Sequence, residues 1–320
     1  MKDFGAGDGS PANAGKFRDP ALTANGEQRA TVALENPRTL WFNTGTLCNI
    51  ECANCYIESS PTNDRLVYLT EPEVRDYLDQ IAERGWPVDE IGFTGGEPFL
   101  NPQMIAMAEA ALGRGFEVLV LTNAMRPMMR PAVQARLRRL SKDHPGRLTL
   151  RVSLDHHARA AHDAERGAGS YDKTLEGMRW LRDNGIAMSV AGRLAMAENE
   201  AACRKGYAAL FDAERFPIDA FDPVQTVLFP EMDVSVEVPE ITTDCWGILG
   251  KSPSSVMCAS SRMVVRRKGA DHPVVLACTL LPYDTAFELG RTLEEAERPV
   301  ALNHPHCAKF CVLGGASCSA

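Results

Sequence analysis

Short β-like segments alternate with helical segments along the first two thirds of the chain. Strands are predicted at 38–44, at the start of EIGFTGGEP (90–98), and at 117–122, 148–154, 187–195 and 219–228. Helices are predicted at 70–85, from 101 onward, near 131–140, near 170–184 and near 198–213. There are about six such βα units, and their alternation implies parallel strands covered by helices. Right-handed crossovers would curl such a sheet into a partial (β/α)6 barrel with its working loops at the carboxyl ends of the strands. We therefore expect an α/β fold.

The helix predicted at 70–85 has recognisable signals at both ends. Thr70 is expected to be its N-cap, and Glu73 three residues later completes a capping box. Gly85 is expected to end the helix. Asn101 and Pro102 are expected to open the next one.

After Pro230 the alternation stops. Residues 240–320 hold six of the ten cysteines, among short β-like runs with little predicted helix. A small cysteine-rich unit of this kind is typically held together by metal. We expect a flexible N-terminal segment at 1–35, the barrel domain at 36–235, and a small C-terminal cysteine-rich domain at 236–320.

Charge and hydropathy exclude several classes of partner. The formal net charge is −8, so a nucleic-acid partner held by bulk electrostatics is not expected. No Lys/Arg run suggests a membrane surface, no apolar stretch reaches the about 18 residues of a membrane span, and residues 1–30 have no signal-peptide core. We therefore expect a cytoplasmic protein in which clustered cysteines bind metal or take part in catalysis and do not form disulfides.

One short segment, CNIECANC, places Cys48, Cys52 and Cys55 within eight residues. Three thiols are one fewer than a closed tetrahedral site requires. A zinc knuckle with a distant fourth ligand is one interpretation, although zinc sites usually contain paired C-x2-C elements. The other is a metal centre that keeps one coordination position open.

CNIECANC after the first predicted barrel strand, followed by GFTGGEP at the second, resembles the radical S-adenosylmethionine (SAM) superfamily. The C-terminal layout resembles its SPASM/Twitch branch, and the resemblance covers roughly residues 36–320. It implies that Cys48, Cys52 and Cys55 ligate three irons of a [4Fe–4S] cluster, and that SAM binds the fourth iron. Reductive cleavage of SAM would then give a 5′-deoxyadenosyl radical that abstracts hydrogen from the substrate.

The resemblance also implies a set of SAM contacts. The glycine turn after the second strand would receive the methionine ammonium, and polar groups at strand ends would suit the ribose and carboxylate. Arg193 is expected either to pair with the SAM carboxylate or to close a structural salt bridge. The expected contacts are Tyr56, Gly95, Gly96, Glu97, Pro98, Asn123, Ser153, Asp155 and Arg193.

The C-terminal cysteines follow the order of a Twitch domain. Cys258 and Cys278 flank a predicted β-hairpin with Gly269 in its turn, and Cys307 and Cys311 close the motif. The resemblance implies that these four thiolates ligate an auxiliary [4Fe–4S] cluster. The spacings are wider than usual, so Cys245 or Cys318 is an alternative ligand, and a structural zinc at the same thiols is the other interpretation. Cys203, alone on a predicted helix, is expected to be an inert buried thiol.

Two hypotheses about function follow. The first is a radical SAM oxidoreductase or maturase whose auxiliary cluster either accepts an electron from the substrate radical or only holds the C-terminal domain over the barrel mouth. Its substrate would be a small molecule or a peptide. We slightly favour a small molecule, or a peptide delivered by a separate partner, because no extra N-terminal domain for gripping a leader peptide is evident. We expect a flavodoxin or ferredoxin as electron donor. The second is a non-enzymatic Fe–S or zinc-binding module on the same fold. Candidate substrate-side groups at predicted strand ends are His156, His157, Glu231 and Asp233.

Overall fold

The computed structural model describes Asn13 and residues 15–194, 198–230 and 236–315. Most of its strands are short and largely buried. The strands are β1 (Thr31–Val32), β2 (Thr39–Asn43), β3 (Glu90–Thr94), β4 (Glu117–Thr122), β5 (Leu148–Ser153), β6 (Ala187–Leu194), β7 (Thr226–Pro230), β8 (Ser261–Val265), β9 (Val274–Leu276), β10 (Glu288–Gly290) and β11 (Val300–Ala301). The helices are α1 (Glu71–Arg84), α2 (Met104–Gly113), α3 (Pro131–Asp143), α4 (Arg159–Arg166), α5 (Ser170–Asp183), α6 (Glu200–Glu214) and α7 (Cys245–Leu249).

Nine of these strands form one sheet in the order β10-β9-β8-β2-β3-β4-β5-β6-β7. Strands β2 to β7 are parallel and follow one another in chain order. Right-handed crossovers between such strands place the connecting helices on one face of the sheet. The predicted α/β architecture is confirmed, and all the loops that follow β2 to β7 lie at the same edge.

The caps of α1 show why its sequence signals were reliable. Thr70 is the N-cap, the side chain of Glu73 accepts a hydrogen bond from the Thr70 N–H at 2.8 Å, and Gly85 ends the helix with φ 63°. Helix α2 begins three residues later than predicted. The side-chain amide of Asn101 donates hydrogen bonds to the Thr44 and Leu69 carbonyls (3.2 and 2.8 Å) instead of capping the helix. A side chain that bonds distant backbone in this way competes with the helical path.

Two other elements depart from the sequence prediction. Helix α4 was not predicted, because its eight residues are too few to give a clear hydrophobic period. The last parallel strand was expected at 219–228 and lies at Thr226–Pro230. The segment before it is a turn in which the Asp222 carboxylate accepts from the Val224 N–H at 2.8 Å.

The C-terminal hairpin continues the barrel sheet. β8 and β9 pair antiparallel, as predicted for the residues between Cys258 and Cys278, and Gly269 in their connection has φ 79°. β8 also pairs with β2 in parallel register, Thr39 opposite Ser261. This pairing fixes the position of the C-terminal cysteines relative to the barrel strands.

Residues 15–35 differ from the loose segment that was expected. Arg29 is fully buried and pairs with Glu240 at 2.6 Å, while also donating to the Asp19 and Leu22 carbonyls (2.7 and 2.8 Å). β1 pairs antiparallel with β11. A buried guanidinium must be fully hydrogen-bonded, so this segment is held by specific partners from the C-terminal region.

None of the helices in the described ranges is long and apolar enough to cross a membrane.

Candidate functional site

The carboxyl edge of the parallel strands brings together most of the predicted SAM-site residues. The cysteine loop follows β2, the GGEP turn follows β3, Asn123 follows β4, and Asp155 follows β5. In parallel sheets the loops at this edge form the binding site. The topology thus unites segments that are separated by up to about a hundred residues in the sequence.

The three cysteines of the first loop lie close enough for their charges to interact. Burial raises the pKa of the Cys48 thiol to about 12, and negative charge on Glu97, Cys52 and Cys55 adds to this. Burial also raises the pKa of Cys52. Buried thiols that resist ionisation in this way are stabilised as thiolates when a cation binds to them. The loop fits a metal centre.

Gly95 and Gly96 allow the turn after β3 to lie directly against the loop that leads to Cys48. A Cβ on Gly95 (φ 139°) would lie 2.5 Å from the Gly45 carbonyl oxygen, and a Cβ on Gly96 would lie 2.2 Å from that of Leu47. The Gly96 N–H donates to the Gly45 carbonyl at 2.9 Å. The absence of side chains at these two positions is a packing requirement of the cysteine loop.

Glu97 is only 2% exposed, and its carboxylate connects two strand ends. It accepts hydrogen bonds from the Thr122 hydroxyl (2.9 Å), the Asn123 N–H (2.9 Å) and the Phe99 N–H (3.2 Å). Burial raises its pKa to about 7 against the opposing effect of these donors. Most of the acceptor capacity of this carboxylate is therefore used within the protein.

Asn123 links this network to the thiols of the cysteine loop. Its side-chain amide donates to the Asn49 side-chain oxygen at 3.0 Å and lies 3.9 Å from the Cys48 sulfur. Its own side-chain oxygen accepts from the Met125 N–H at 3.0 Å. An N–H directed at a ligating sulfur stabilises the thiolate form and tunes a metal centre.

Asp155 is engaged by two arginines. Arg166 donates to both of its oxygens (2.7 and 3.1 Å), and the Arg193 Nε lies 3.6 Å from Oδ1. Burial would raise the pKa of Asp155, but the two guanidiniums outweigh it and the pKa is lowered. Arg193 also donates to the Asn54 carbonyl at 2.7 Å, within the cysteine loop. Of the two roles considered for Arg193, these contacts match the structural salt bridge.

Arg166 was missed by the sequence analysis. It is the last residue of α4, nearly enclosed, and its positive charge opposes the rise in the pKa of the Cys52 thiol. A neighbouring cation of this kind favours the anionic form of a cysteine. The sequence did not indicate that Arg166 contacts the site, because α4 itself was not predicted.

Three other residues were predicted to contact SAM, namely Tyr56, Pro98 and Ser153. Tyr56 is half-buried and packs against the hydrophobic core. Pro98 is buried and opens a 3-10 turn, Pro98–Leu100. Ser153 ends β5 and is partly exposed at the carboxyl edge.

Four C-terminal cysteines line a second, separate cavity. They come from the segment before β8, the end of the hairpin, and a π-helical segment, Cys307–Leu313. Burial raises the pKa of Cys258 to about 11 and that of Cys307 well above its ordinary value, and Cys278 and Cys311 contribute to the latter. The cavity is lined by Cys258, Cys278, Cys307 and Cys311 with Val256, Ala277, Phe287, Val300 and Leu302.

A buried arginine accompanies this second cavity. Arg262 is fully buried and donates to the carbonyls of Cys258 (2.6 Å), Ser261 (2.9 Å) and Ala296 (2.9 Å). Burial lowers its pKa to about 10, whereas negative charge on Cys258 and Cys278 counteracts that. A guanidinium bonded to carbonyls alone retains its full positive charge, which suits an anionic metal–thiolate centre.

The remaining predicted cysteines lie elsewhere. Cys245, at the start of α7, contacts the Thr242 hydroxyl at 3.4 Å and does not line the cavity described above. Cys203 is buried on α6. Cys318, Glu231 and Asp233 lie outside the described residues.

Parts of the sequence are similar to a known family and to several of its characterised relatives. The model of the Radical SAM superfamily matches residues 42–200. The antilisterial bacteriocin subtilosin biosynthesis protein AlbA of Bacillus subtilis is 31% identical over 145 residues, which are 45% of this chain and 30% of AlbA. The AdoMet-dependent heme synthase of Methanosarcina barkeri is 29% identical over 47% of this chain and 41% of that protein. The mycofactocin maturase MftC of Mycobacterium tuberculosis is 26% identical over 48% and 37%. The chain thus spans less than half the length of these relatives.

Solved structures show the same fold. SuiB of Streptococcus suis bound to S-adenosylmethionine has a TM-score of 0.56 at 11% identity, covering 80% of this chain and 63% of SuiB. SuiB bound to the precursor peptide SuiA gives the same TM-score, covering 81% and 63%. The protein anSMEcpe with bound AdoMet has a TM-score of 0.56 at 14% identity, covering 81% and 77%. The likeness extends over most of the described chain, including the partial barrel.

Proposed function

The chain belongs to the radical SAM superfamily, and we propose that it is an oxidoreductase or maturase that cleaves SAM and acts on a peptide. The single observation that carries this proposal is the convergence of Cys48, Cys52 and Cys55 at the carboxyl edge of the parallel strands. The superfamily uses a [4Fe–4S] cluster and SAM, and a three-thiol loop at that edge fits both.

In this proposal the three thiols hold three irons and leave one iron for SAM. No other described cysteine belongs to this loop: Cys203 lies on α6, Cys245 on α7, and the other four line the C-terminal cavity. The donor set is therefore that of an open centre. A zinc knuckle would require a fourth protein ligand at the loop.

The neighbouring polar residues act mainly by holding the loop. We infer that Glu97 fixes the ends of β3 and β4, since its oxygens accept from Thr122, Asn123 and Phe99. Asp155 and Arg193 fix the loop at Asn54. Gly95 and Gly96 permit its close approach to the GGEP turn. Pro98 and Tyr56 pack beside these groups, and the partly exposed Ser153 remains the proposed direct contact to SAM.

When bound, the cluster would supply the electron for cleavage of SAM to methionine and a 5′-deoxyadenosyl radical, which would abstract hydrogen from the substrate. The protein contributes by excluding water and by fixing charge. Glu97 and Asp155 are buried, and Arg166 places a positive charge beside Cys52. These groups keep the thiolates and their surroundings in one arrangement before the chemistry begins.

The second cavity fits the auxiliary [4Fe–4S] cluster. Four thiols from Cys258, Cys278, Cys307 and Cys311 provide one ligand per iron, so this centre would be closed. We propose that such a cluster would supply an electron acceptor for the substrate radical and that Arg262, fully buried beside Cys258, would stabilise its negative charge. Participation of Cys318 stays a prediction, and a flavodoxin or ferredoxin is the proposed electron donor to the first cluster.

A peptide is the proposed substrate class. SuiB, whose fold this chain shares, has been solved with a precursor peptide, and the chain is similar to a bacteriocin biosynthesis protein and to a maturase. The slight preference for a small molecule rested on the apparent lack of a leader-gripping domain, which is weaker support than these similarities.

The test is an anaerobic preparation of the full chain. About eight irons per chain and 5′-deoxyadenosine formation on reduction with SAM are expected. Cys48→Ala should remove about four irons and all SAM cleavage, whereas Cys245→Ala should change neither, because Cys245 belongs to neither set of thiols. Iron without SAM cleavage, or zinc in place of iron, would instead support the non-enzymatic binding module.

Substrate class is tested separately. Peptides and small molecules carrying deuterium at their C–H positions are incubated with the reduced enzyme and SAM, and transfer of deuterium into 5′-deoxyadenosine is measured. Transfer from a peptide supports the proposal. Transfer from a small molecule alone would overturn the peptide assignment and leave the cleavage chemistry intact.

A further inference from the structure

A second group of metal-binding side chains lies just behind the carboxyl edge of the sheet. His156 and His157 follow β5, Glu198 lies two residues before α6, and Cys203 lies in the first turn of α6. One ligand atom from each of the four lies within 4.8 Å of the others. We call this group the rim cluster. None of its members belongs to the two cysteine sets described above.

The hydrogen bonds of His156 determine its role in the rim cluster. The Ala158 N–H donates to His156 Nδ1 at 2.9 Å, so that nitrogen presents a lone pair. In a neutral imidazole the proton then resides on Nε2, which lies 3.1 Å from a Glu198 oxygen. Nε2 therefore donates to the carboxylate and has no lone pair for a metal. His156 is suited to orienting Glu198.

The two ring nitrogens of His157 are placed differently from those of His156. The imidazole ring packs directly against α6, where a Cβ at Gly206 would lie 2.3 Å from its Nε2. Its Nδ1 is buried and finds no hydrogen-bond partner in the described part of the chain. A buried polar atom without a partner costs about 1–3 kcal/mol, a cost that a bound cation would offset at this nitrogen. The His156 and His157 rings are 4.1 Å apart, which fixes both.

Glu198 and Cys203 bring two acidic groups to the same place. Burial raises the pKa of the Cys203 thiol to about 12, and the negative charge of Glu198 raises it further. Cys203 is fully buried and Glu198 is only partly exposed. A thiol beside a carboxylate in a buried setting is stabilised when a cation binds to both, with release of the thiol proton.

We propose that His157, Glu198 and Cys203 bind a zinc ion and that His156 positions the Glu198 carboxylate. One nitrogen, one oxygen and one sulfur ligand form a borderline-soft set that suits zinc, and three protein ligands leave the fourth position to water. The ion would join the loop after β5 to the start of α6. Asp155, which immediately precedes His156, contacts Arg193 and through it the loop at Asn54. The zinc would thereby stiffen the wall of the proposed SAM site.

The experiment uses the full-length protein with its iron–sulfur clusters loaded. One equivalent of zinc is added anaerobically, free metal is removed, and bound zinc is measured by mass spectrometry and by X-ray absorption at the zinc edge. This edge is separate from that of iron. We expect one zinc per chain with one sulfur at about 2.3 Å and three nitrogen or oxygen ligands at about 2.0–2.1 Å.

Variants distinguish ligands from the positioning residue. His157→Ala and Cys203→Ser should lose the zinc with unchanged iron content, which also shows that they fold. His156→Ala should weaken zinc binding by about 10–100-fold, as removal of an outer-shell partner does. His156→Gln should restore it, because the Gln amide can still donate to Glu198. Cys245→Ala is the matched cysteine control and should bind zinc normally.

Three results would overturn the proposal. Wild-type protein that retains no zinc contradicts the site itself. A zinc shell of three or four sulfurs places the ion at the C-terminal cysteines. Equal loss of zinc in His156→Gln and His157→Ala shows that His156 is a ligand and refutes its positioning role. None of these outcomes depends on SAM cleavage, so the test is independent of the proposed function.

Discussion

Substituting Gly96 by alanine tests whether the GGEP turn supports the cysteine loop through packing. Gly96 has an ordinary φ, so the substitution introduces no backbone strain of its own. The added Cβ would lie 2.2 Å from the Leu47 carbonyl oxygen, where ordinary contact begins at 3.4 Å. The two segments must therefore separate by 3.4 − 2.2 Å, or 1.2 Å. Leu47 immediately precedes Cys48, so this displacement reaches the first of the three proposed metal ligands.

The energetic cost follows from the same contacts. Overpacking of this kind costs about 1–3 kcal/mol. The Glu97 N–H donates to the Leu47 carbonyl at 3.1 Å. Loss of that hydrogen bond adds about 0.5–1.5 kcal/mol. The sum, about 1.5–4.5 kcal/mol, lowers the occupancy of a correctly placed Cys48 by at least about tenfold, since about 1.4 kcal/mol corresponds to a factor of ten.

The assay is iron content and EPR of the anaerobic protein. Gly96→Ala should retain about four irons, those of the C-terminal cavity, and lose the signal that SAM perturbs. Gly113→Ala is the matched control: its Cβ meets nothing within 4 Å, and alanine is the better helix former. Full iron content and an unchanged SAM response in Gly96→Ala would refute the reasoning.

Three further predictions concern buried charges. Arg262→Met should make the reduction potential of the proposed C-terminal cluster more negative by roughly 50–100 mV. This is the one-electron equivalent of removing a unit positive charge at about 10 Å with an effective dielectric constant of about 20. An unchanged potential in an EPR-monitored redox titration would contradict this. Asp155→Asn leaves the Arg166 guanidinium unpaired in a buried position and should destabilise the fold by about 3–5 kcal/mol in denaturant unfolding, whereas a cost below 1 kcal/mol would show that the pair is not important. His162 is fully buried with neither ring nitrogen partnered in the described ranges, and burial lowers its pKa to about 4. Because that pKa lies below the unfolded value of 6.5, the contribution of neutral His162 to the free energy of unfolding is present above pH 6.5 and is lost as pH falls toward 4. The slope is at most about 1.4 kcal/mol per pH unit. His162→Phe should flatten this part of the curve of stability against pH, and an identical curve would refute the assignment.

The sequence by itself determined the features that depend on local pattern. The capping box at Thr70 and Glu73, the strand at Glu117–Thr122 and the hairpin around Gly269 follow from short-range propensities and were predicted with nearly correct bounds. The sequence also indicated the cysteine triplet, because its three members lie within eight residues of one another.

Only the tertiary structure decided which distant side chains meet. Arg166 reaches Asp155 and the cysteine loop from a helix that has no strong pattern of its own. Arg262 lies beside cysteines on both sides of the hairpin. His157 and Cys203, more than forty residues apart, lie close together because the segment after β5 packs against α6, where the Tyr207 hydroxyl donates to the Leu154 carbonyl at 2.7 Å. Such contacts are set by packing and by strand register, which no local propensity encodes, and they place charges beside the thiols that we propose to bind metal.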